Sequence, residues 1–294
     1  MISDTENNEV IETDILSKVC FCVVNADYID PAIVSLSSYF KFNSIPVICF
    51  YESGTNISRL KAALADYDIE FREREFPDFT EHKIIGDKYF NLFCQRDALP
   101  VYAMRIQAIE ELKEEYDLII NFDLDTLFFN NINGIVNFAD TADPVFVYGV
   151  SERQNRDRWI RNLNVSDVIP GKYINTGFVM YGAETEICLS DYQKFLHDFS
   201  EHVYCPEQDY INHVSQQRIR EISLAYNLMF TDENYTRISP VMVHFISSMK
   251  PWADVFPADN ADFYFHRYRV FCESVRPFLS QKFNSQTSLA RSGI

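Results

Sequence analysis

No run of about 18 apolar residues occurs in the chain, so no helix long enough to cross a membrane is predicted. No CxxC pair occurs either. The seven cysteines (Cys20, Cys22, Cys49, Cys94, Cys188, Cys205 and Cys272) are odd in number and scattered, several of them in apolar runs. That pattern indicates neither a zinc ribbon nor a disulfide framework, and reads as reduced core thiols of a cytoplasmic protein. Glycine and proline are scarce, 8 and 11 in 294 residues, which argues against collagenous or low-complexity character. Positive charge is in deficit: 26 Lys and Arg against 43 Asp and Glu leave a net charge of -17, which argues against nucleic acid as a general partner. No internal repeat and no Pro/Gly-rich linker is found.

What is present is apolar and aromatic: 47% hydrophobic and 15% aromatic residues support a sizeable core. The charge is unevenly spread. Residues 263–294 hold Arg267, Arg269, Arg276, Lys282 and Arg291 against only Glu273, whereas the first 17 residues hold Asp4, Glu6, Glu9, Glu12 and Asp14 without a Lys or Arg. The expected division is an acidic, solvated tail over 1–17, which is not a signal peptide, one continuous domain over 18–260, and a basic, aromatic extension over 261–294.

Strand and helix patterns alternate through the first half. Val19–Val24 and Pro46–Tyr51 read as buried strands and Ile69–Phe71 as a short third one. Pro31–Phe40 reads as a helix, with Pro31 in its first turn and Asp30 as its N-cap. Ile57–Tyr67 reads as a helix with Leu60, Ala63, Leu64 and Tyr67 on one face, and Val101–Glu115 as another with Ala103, Ile106, Ile109 and Leu112 inward. This order predicts an α/β fold with a parallel sheet and helices on its faces. In the less regular second half, strands are expected over Pro144–Val150, Tyr173–Tyr181 (broken by Gly177) and Val241–Phe245, and helices over Glu186–His202 and Glu207–Gln216.

The chemistry concentrates in YDLIINFDLDTLFF, Tyr116 to Phe129. An apolar run opens it, and Asp123 and Asp125 follow. Residues two apart on a strand share a face, so the pair should present two carboxylates at the strand's C-terminal end, where open α/β sheets place ligands. Like charges this close repel, and a hard divalent cation offsets the repulsion. A lone acid-x-acid triplet is weak, since so acidic a chain should hold roughly six by chance; the flanking strand is what raises it.

Three later segments could complete such a site. His244 follows an apolar strand, and an imidazole added to two carboxylates favours Mn²⁺ over Mg²⁺; Lys250, six residues on, could face a phosphate. The plainer reading is a core histidine and a surface lysine. Gly177, in Tyr173–Gly177, marks either close approach by a ligand or a simple bulge, with Asn175 offering donors and an acceptor. Glu207-Gln208-Asp209 opens a helix, where acids suit the helix dipole and the cap; the functional reading turns Glu207 and Gln208 toward a sugar.

Together these segments resemble glycosyltransferase family 8, whose members are retaining, metal-dependent transferases with the GT-A fold. NADY after the first strand, FDLDTLF, YINTGFVMY, EQDYIN and HFISSMKPW occur in the family's order across Val19 to about Trp252. The resemblance implies a Rossmann-like, GT-A type single domain with a mostly parallel central sheet, a UDP-sugar donor, Mn²⁺ (or Mg²⁺) and a glycan acceptor. By matching position it implies that Asp123, Asp125 and His244 bind the metal. Asn25, Asp27 and Tyr28 fall where the family holds uracil and ribose, and Leu124 lies with them in the nucleotide site. Lys250 falls on the diphosphate. Arg105 matches an arginine near diphosphate and sugar, although Met104 takes that slot under a tighter alignment. Asn175, Glu207 and Gln208 would line the sugar pocket, with Gln208, Glu207 and Lys250 closest to the chemistry, and Glu152 falls in the place of an acidic sugar contact. Ser247 stands where the family often has a glycine approaching the phosphate, and Asn25 where many members have an acid or a small residue.

The implied reaction transfers a hexose, galactose or glucose first, to a lipopolysaccharide, another glycan or a glycoprotein, in the cytoplasm or at the inner membrane surface. A non-catalytic binding protein on the same fold is one rival. A sugar nucleotidyltransferase is another, but it should follow its first strand with a Gly-rich basic loop rather than NADYIDP. The aromatic, basic stretch over 263–283 reads either as a peripheral membrane contact or as a helix packed on the domain.

Overall fold

The first apolar run forms β1 (Lys18–Val24), and its lack of alternation has a direct cause. In the computed structural model, Cys20, Cys22 and Val24 enter a core on one face of the sheet, while Val19, Phe21 and Val23 enter a second core on the other. A strand covered on both faces needs apolar residues at every position. The structure describes residues 16–77, 98–139, 144–152, 173–199, 203, 205–229, 238–246, 250–253 and 262–288.

β2 (Val47–Glu52) and β3 (Ile69–Arg74) extend the sheet on one side of β1, all parallel. β4 (Leu118–Phe122) joins it in parallel on the other side. β7 (Ile174–Gly182) runs antiparallel to β4, followed outward by β6 (Val147–Ser151) and β8 (Ile219–Glu221). The strand order is β3-β2-β1-β4-β7-β6-β8, with β7 alone reversed, so the sheet is mostly parallel as expected. A second, three-stranded sheet has the order β5-β10-β9, formed by Thr126–Phe128, Met242–His244 and Leu228–Met229. Its strands are only two or three residues long.

Helices cover both faces. One core is closed by α1 (Ile29–Phe40), α2 (Ser58–Ala63) and two C-terminal helices, here α7 (Asp262–Val275) and α8 (Gln281–Thr287). The other is closed by α3 (Leu99–Leu112), α5 (Leu189–Phe199) and α6 (Pro206–Ser215). A short α4 (Asn133–Ala139) follows β5. α3 buries Ala103, Ile106, Ile109 and Leu112, as its periodicity requires. Tyr39 stacks on Phe122 and meets Phe128 edge-on, both with centroids 5.2 Å apart. Burying each such ring contributes about 1.5–3 kcal/mol.

Several local expectations are corrected. Asp30 does not cap α1: it lies within the first turn, pairs with Arg59, and accepts from Ser280 N at 2.9 Å and Ser280 Oγ at 2.7 Å. Its carboxylate therefore ties α1 to α2 and to the start of α8. The second helix stops at Ala63, and Tyr67 stays 41% exposed, stacked on Phe40 at 4.7 Å. β7 is one continuous strand, but its register with β6 shifts at Gly177 as expected: Gly149 and Val150 face Val179 and Asn175, which leaves Thr176–Phe178 as the extra residues on β7. Beyond Ser17, whose N–H and Oγ donate to Asp117 at 2.8 Å, the acidic opening lies outside the described residues. Of the described cysteines, Cys20, Cys22, Cys49 and Cys272 are buried; Cys94 lies outside the described residues.

The C-terminal segment packs on the domain. α7 turns Tyr264, Phe265, Tyr268 and Cys272 inward and leaves Phe263 60% and Val270 43% exposed. Among the described residues no helix is long and apolar enough to cross a membrane.

Candidate functional site

The sheet's order reverses between β1 and β4: from β1 the chain builds outward to β2 and β3, whereas β4 lies on the other side. The C-terminal ends of β1 and β4 therefore flank a switch point, the place where α/β sheets open a crevice for ligands. β1 ends in Asn25 and a 3₁₀ turn over Ala26–Tyr28. β4 ends at Phe122, directly before Asp123.

Asp123 and Asp125 converge, but not by strand alternation. Both lie in the bend between β4 and β5, closed by a Thr126 Oγ1 hydrogen bond to Asp123 O at 2.6 Å. Asp123 N still donates to Gly177 O at 3.0 Å, so this residue prolongs the β4–β7 ladder. Asp125 O accepts from Phe245 N at 2.9 Å and belongs to the small sheet, where β5 and β10 run antiparallel. The bend thus hands the chain from one sheet to the other, with one carboxylate on each side.

The same β5–β10 pairing delivers His244, whose Nε2 lies 3.3 Å from Asp123 Oδ2 and 3.2 Å from Asp125 Oδ1. Ligand atoms of all three residues lie within 4.8 Å of one another. Neighbouring ligands of an octahedral cation with bonds of about 2.1 Å stand about 3 Å apart, so these separations and this oxygen–nitrogen donor set fit a divalent ion. Gly177 lies beneath the imidazole: a Cβ there would meet His244 ring atoms at 2.2 Å. The close approach that the glycine permits is therefore made by His244.

Cations of the chain surround the carboxylates. Arg105, partly buried, pairs with Asp123 and places Nη1 3.1 Å from Glu207 Oε2. Met104 points instead into the apolar core. Lys250 pairs with Asp125 and donates to Phe245 O, while Trp252 two residues later seats on Tyr268 and Phe283. Burial alone would raise the Asp125 carboxyl, but Lys250 and His244 hold it well below the usual carboxylate range. Burial alone would lower the His244 imidazole, but Asp125 and Asp123 push it up to about 9. Glu207 is pushed up to about 7 by burial and by Asp123, against the pull of Arg105.

A buried hydrogen-bond chain runs behind these groups. His244 Nδ1 lies 3.1 Å from Asn227 Oδ1, and Asn227 Nδ2 donates to Asn175 Oδ1 at 2.8 Å. Asn175 Nδ2 donates to Glu152 Oε2 at 2.9 Å and to Gln208 Oε1 at 3.1 Å. Gln208 Nε2 donates to Glu152 Oε2 at 3.0 Å and to Tyr173 OH at 2.9 Å, and that hydroxyl donates to Asp209 Oδ1 at 2.6 Å. Asn212 anchors α6 to β7 by bonding both Ile174 N and Ile174 O at 2.8 Å.

Asp123, Asp125, His244, Lys250, Arg105, Asn175, Glu207, Gln208 and Glu152 are thus brought into one contiguous set. Tyr28 stands beside it, with Asp125 and Asp123 adding to burial in raising its hydroxyl pKa, and its ring meets Trp252 edge-on at 6.4 Å. Asn25 Oδ1 is shielded from solvent and has no hydrogen-bond partner among the described residues, a polar atom suited to a ligand's donor. Asp27 is exposed on the same turn, beside a cavity of about 490 Å³ lined by Ala26, Ile29, Thr55, Asn56, Ser58 and Arg59. Leu124 buries its side chain in the core. Ser247 lies outside the described residues. Sequence reasoning missed Asn227: it precedes a two-residue strand and sits in no periodic pattern.

A family model described as Glycosyl transferase family 8 matches residues 19–255. No curated protein sequence matches the chain. Among solved structures, the galactosyltransferase LgtC in complex with donor and acceptor sugar analogues is similar at 14% identity and a TM-score of 0.68, over 92% of this chain and 99% of that one. The apo glycosyltransferase GlyE of Streptococcus pneumoniae is similar at 12% identity and 0.58, over 95% and 64%. Mouse xyloside xylosyltransferase 1 is similar at 12% identity and 0.52, over 82% and 99%. Identities this low speak for the fold.

Proposed function

The chain belongs to glycosyl transferase family 8, and from that premise we propose that it transfers a hexose, galactose or glucose, from a UDP-sugar to a glycan acceptor with retention, forming an α-linkage. The observation that supports this most is the convergence of Asp123, Asp125 and His244 at the switch point of the sheet.

Asp123, Asp125 and His244 would hold a divalent cation, Mn²⁺ in preference to Mg²⁺ because of the imidazole. When bound, that ion supplies Lewis acidity toward the diphosphate oxygens of the donor. The remaining steps fall to the chain's own groups. Asn25, Asp27 and Tyr28 would bind uracil and ribose at the end of β1. Lys250 would place a fixed positive charge on the departing diphosphate. Arg105, already oriented by Asp123 and Glu207, would steady diphosphate and sugar together. Asn175, Glu207 and Gln208 would line the sugar pocket and present oxygens to the positive anomeric centre. The anomeric C–O bond to phosphate breaks as the acceptor oxygen bonds to the same face, and the acceptor proton passes to the leaving phosphate. The outward face of α7, with Phe263, Arg267 and Val270 exposed, supports a peripheral contact with an anionic membrane; flotation with anionic liposomes that survives removal of 263–294 would reject that contact.

The test of the reaction is UDP release from a panel of UDP-sugars with Mn²⁺ and with chelator, using the wild type and Asp125→Ala. Mn²⁺-dependent release from one donor, absent in the variant, is the expected result. Tight Mn²⁺–UDP binding with no release and no transfer to any glycan acceptor would favour a binding protein instead.

A further inference from the structure

Two backbone N–H groups of β7 fix the direction of every hydrogen bond in the chain behind His244. A backbone N–H can only donate. Thr176 N donates to the Gln208 side chain at 3.1 Å, so the atom there is Oε1, and Gln208 Nε2 must face Glu152 and Tyr173. Gly177 N donates to the Asn175 side chain at 2.9 Å, so that atom is Oδ1, and Asn175 Nδ2 must face Glu152 and Gln208. Asn175 Oδ1 is then an acceptor for Asn227 as well, which requires Nδ2 of Asn227 on that side and Oδ1 on the other. Asn227 Oδ1 faces His244 Nδ1 at 3.1 Å and can only accept. His244 Nδ1 must therefore carry a proton.

We propose that Asn227 is the positioning residue that holds the neutral His244 ring in its Nδ1–H tautomer, so that Nε2 offers its lone pair between Asp123 and Asp125 to a divalent cation. The polarity originates in β7 and is relayed through Asn175, which ties the donor atoms for the cation to the residues around Gln208. Asn227 is fully buried and touches neither carboxylate in any described contact. The inference rests on the reading of Asp123, Asp125 and His244 as metal ligands. Hydrogen-bond polarity alone puts a proton on Nδ1; Asp123 and Asp125, which also only accept, hold a second proton on Nε2 until a cation displaces it and leaves the Nδ1–H form.

Two measurements test it. The first is the ¹⁵N spectrum of ring-labelled histidine with UDP and Zn²⁺ as a diamagnetic probe ion, assigned with His244→Gln. A proton on Nδ1 with the ion on Nε2 is expected at His244, and an unprotonated Nδ1 overturns the proposal. The second is Mn²⁺ affinity, read as free-ion EPR signal in the presence of UDP. Asn227→Ala should weaken it about 10–100-fold, the range for loss of a ligand's hydrogen-bond partner. Asn227→Asp keeps an acceptor for Nδ1–H and should restore affinity to within about threefold while losing the bond to Asn175. Unchanged affinity in Asn227→Ala, or equal losses in both variants, overturns the positioning role. If the wild type binds neither ion with UDP, the proposed function fails and the positioning role with it; ion binding with an unprotonated Nδ1 overturns the positioning role alone. Should Asn227→Ala fail to fold, that spectrum and Asn227→Asp decide it.

Discussion

Asp123 and Asp125 stand two residues apart, yet they belong to different sheets. Asp123 prolongs β4 of the seven-stranded sheet and is met by Arg105 from α3, which Glu207 on α6 also holds. Asp125 opens the three-stranded sheet and is met by His244 and Lys250. The large sheet supplies a rigid rim made of long, doubly buried strands. The small one, with strands of two or three residues, supplies the histidine and its hydrogen-bond partner. A site built across this junction depends on both sheets keeping register, and its weak member is the short one.

The strongest way to break the junction is to remove the small sheet's carboxylate. Asp125→Ala should lower metal-dependent transfer roughly 10³-fold, the several kcal/mol that a Lewis acid contributes. It should also leave Lys250 without its carboxylate, while the Arg105–Glu207 pair persists on the other side. Steady-state rates with Mn²⁺ check the first point, and wild-type-like transfer would remove the metal reading altogether. Next in size is Gly177→Ala. The added methyl meets the His244 ring at 2.2 Å, so ring or strand must shift, at an overpacking cost of about 2–3 kcal/mol. Thermal unfolding should show it at about 2–4 °C per kcal/mol. Unchanged melting with unchanged Mn²⁺ affinity would mean that His244 does not rest on β7.

This asymmetry also explains what the sequence makes legible. Val19–Val24 and Leu118–Ile120 announce their strands because burial on two faces demands unbroken apolar runs. Asp123 and Asp125 are visible because they follow such a run directly. The alternation argument brings them together for the wrong reason, since β4 has already ended at Phe122. β9 offers only Leu228 and Met229, too short for any periodic signal, so Asn227 beside it stays hidden until β9 is paired with β10. Gly177 is conspicuous in sequence, but its neighbour is not, because His244 lies 67 positions further along the chain.

Titration of the metal-free protein separates the two sides with a smaller effect, on the order of 2 kcal/mol each. Glu207, on the large-sheet side, is raised from its ordinary 4.5 to about 7, mainly by burial. Between those values the folded chain keeps a proton that the unfolded chain has lost, so stability falls as pH rises through the window. His244, on the small-sheet side, is raised from 6.5 to about 9 because Asp125 and Asp123 outweigh burial. Its stabilisation is complete below 6.5 and is lost as pH rises through 9. Denaturant unfolding in chelator should show both slopes, with Glu207→Gln flattening the lower and His244→Gln the upper. A single slope abolished by either variant would mean that the two sides titrate as one unit.

The smallest effect tests how far the large sheet's rim extends behind Asn175 and Gln208. Tyr173 OH accepts from Gln208 Nε2 and donates to Asp209 Oδ1, which places the phenol between the Gln208 amide and a carboxylate that also receives Cys205 N at 3.0 Å. Tyr173→Phe keeps the buried ring and removes only the hydroxyl, so packing is preserved. Asp209 keeps its backbone donor, and Gln208 keeps Glu152, Asn175 and Thr176. The loss should therefore stay near 1 kcal/mol, the net worth of a hydrogen bond when other partners remain. Because the Gln208 amide would lose one of its four fixed partners, its orientation should loosen more than the fold does. Transfer rate should fall about tenfold with donor KM nearly unchanged, the pattern of a group felt in the transition state more than in binding. A rise in KM at constant rate would place Tyr173 with donor binding instead, and would move the boundary of the reacting region from α6 back toward the Asp123–His244 junction.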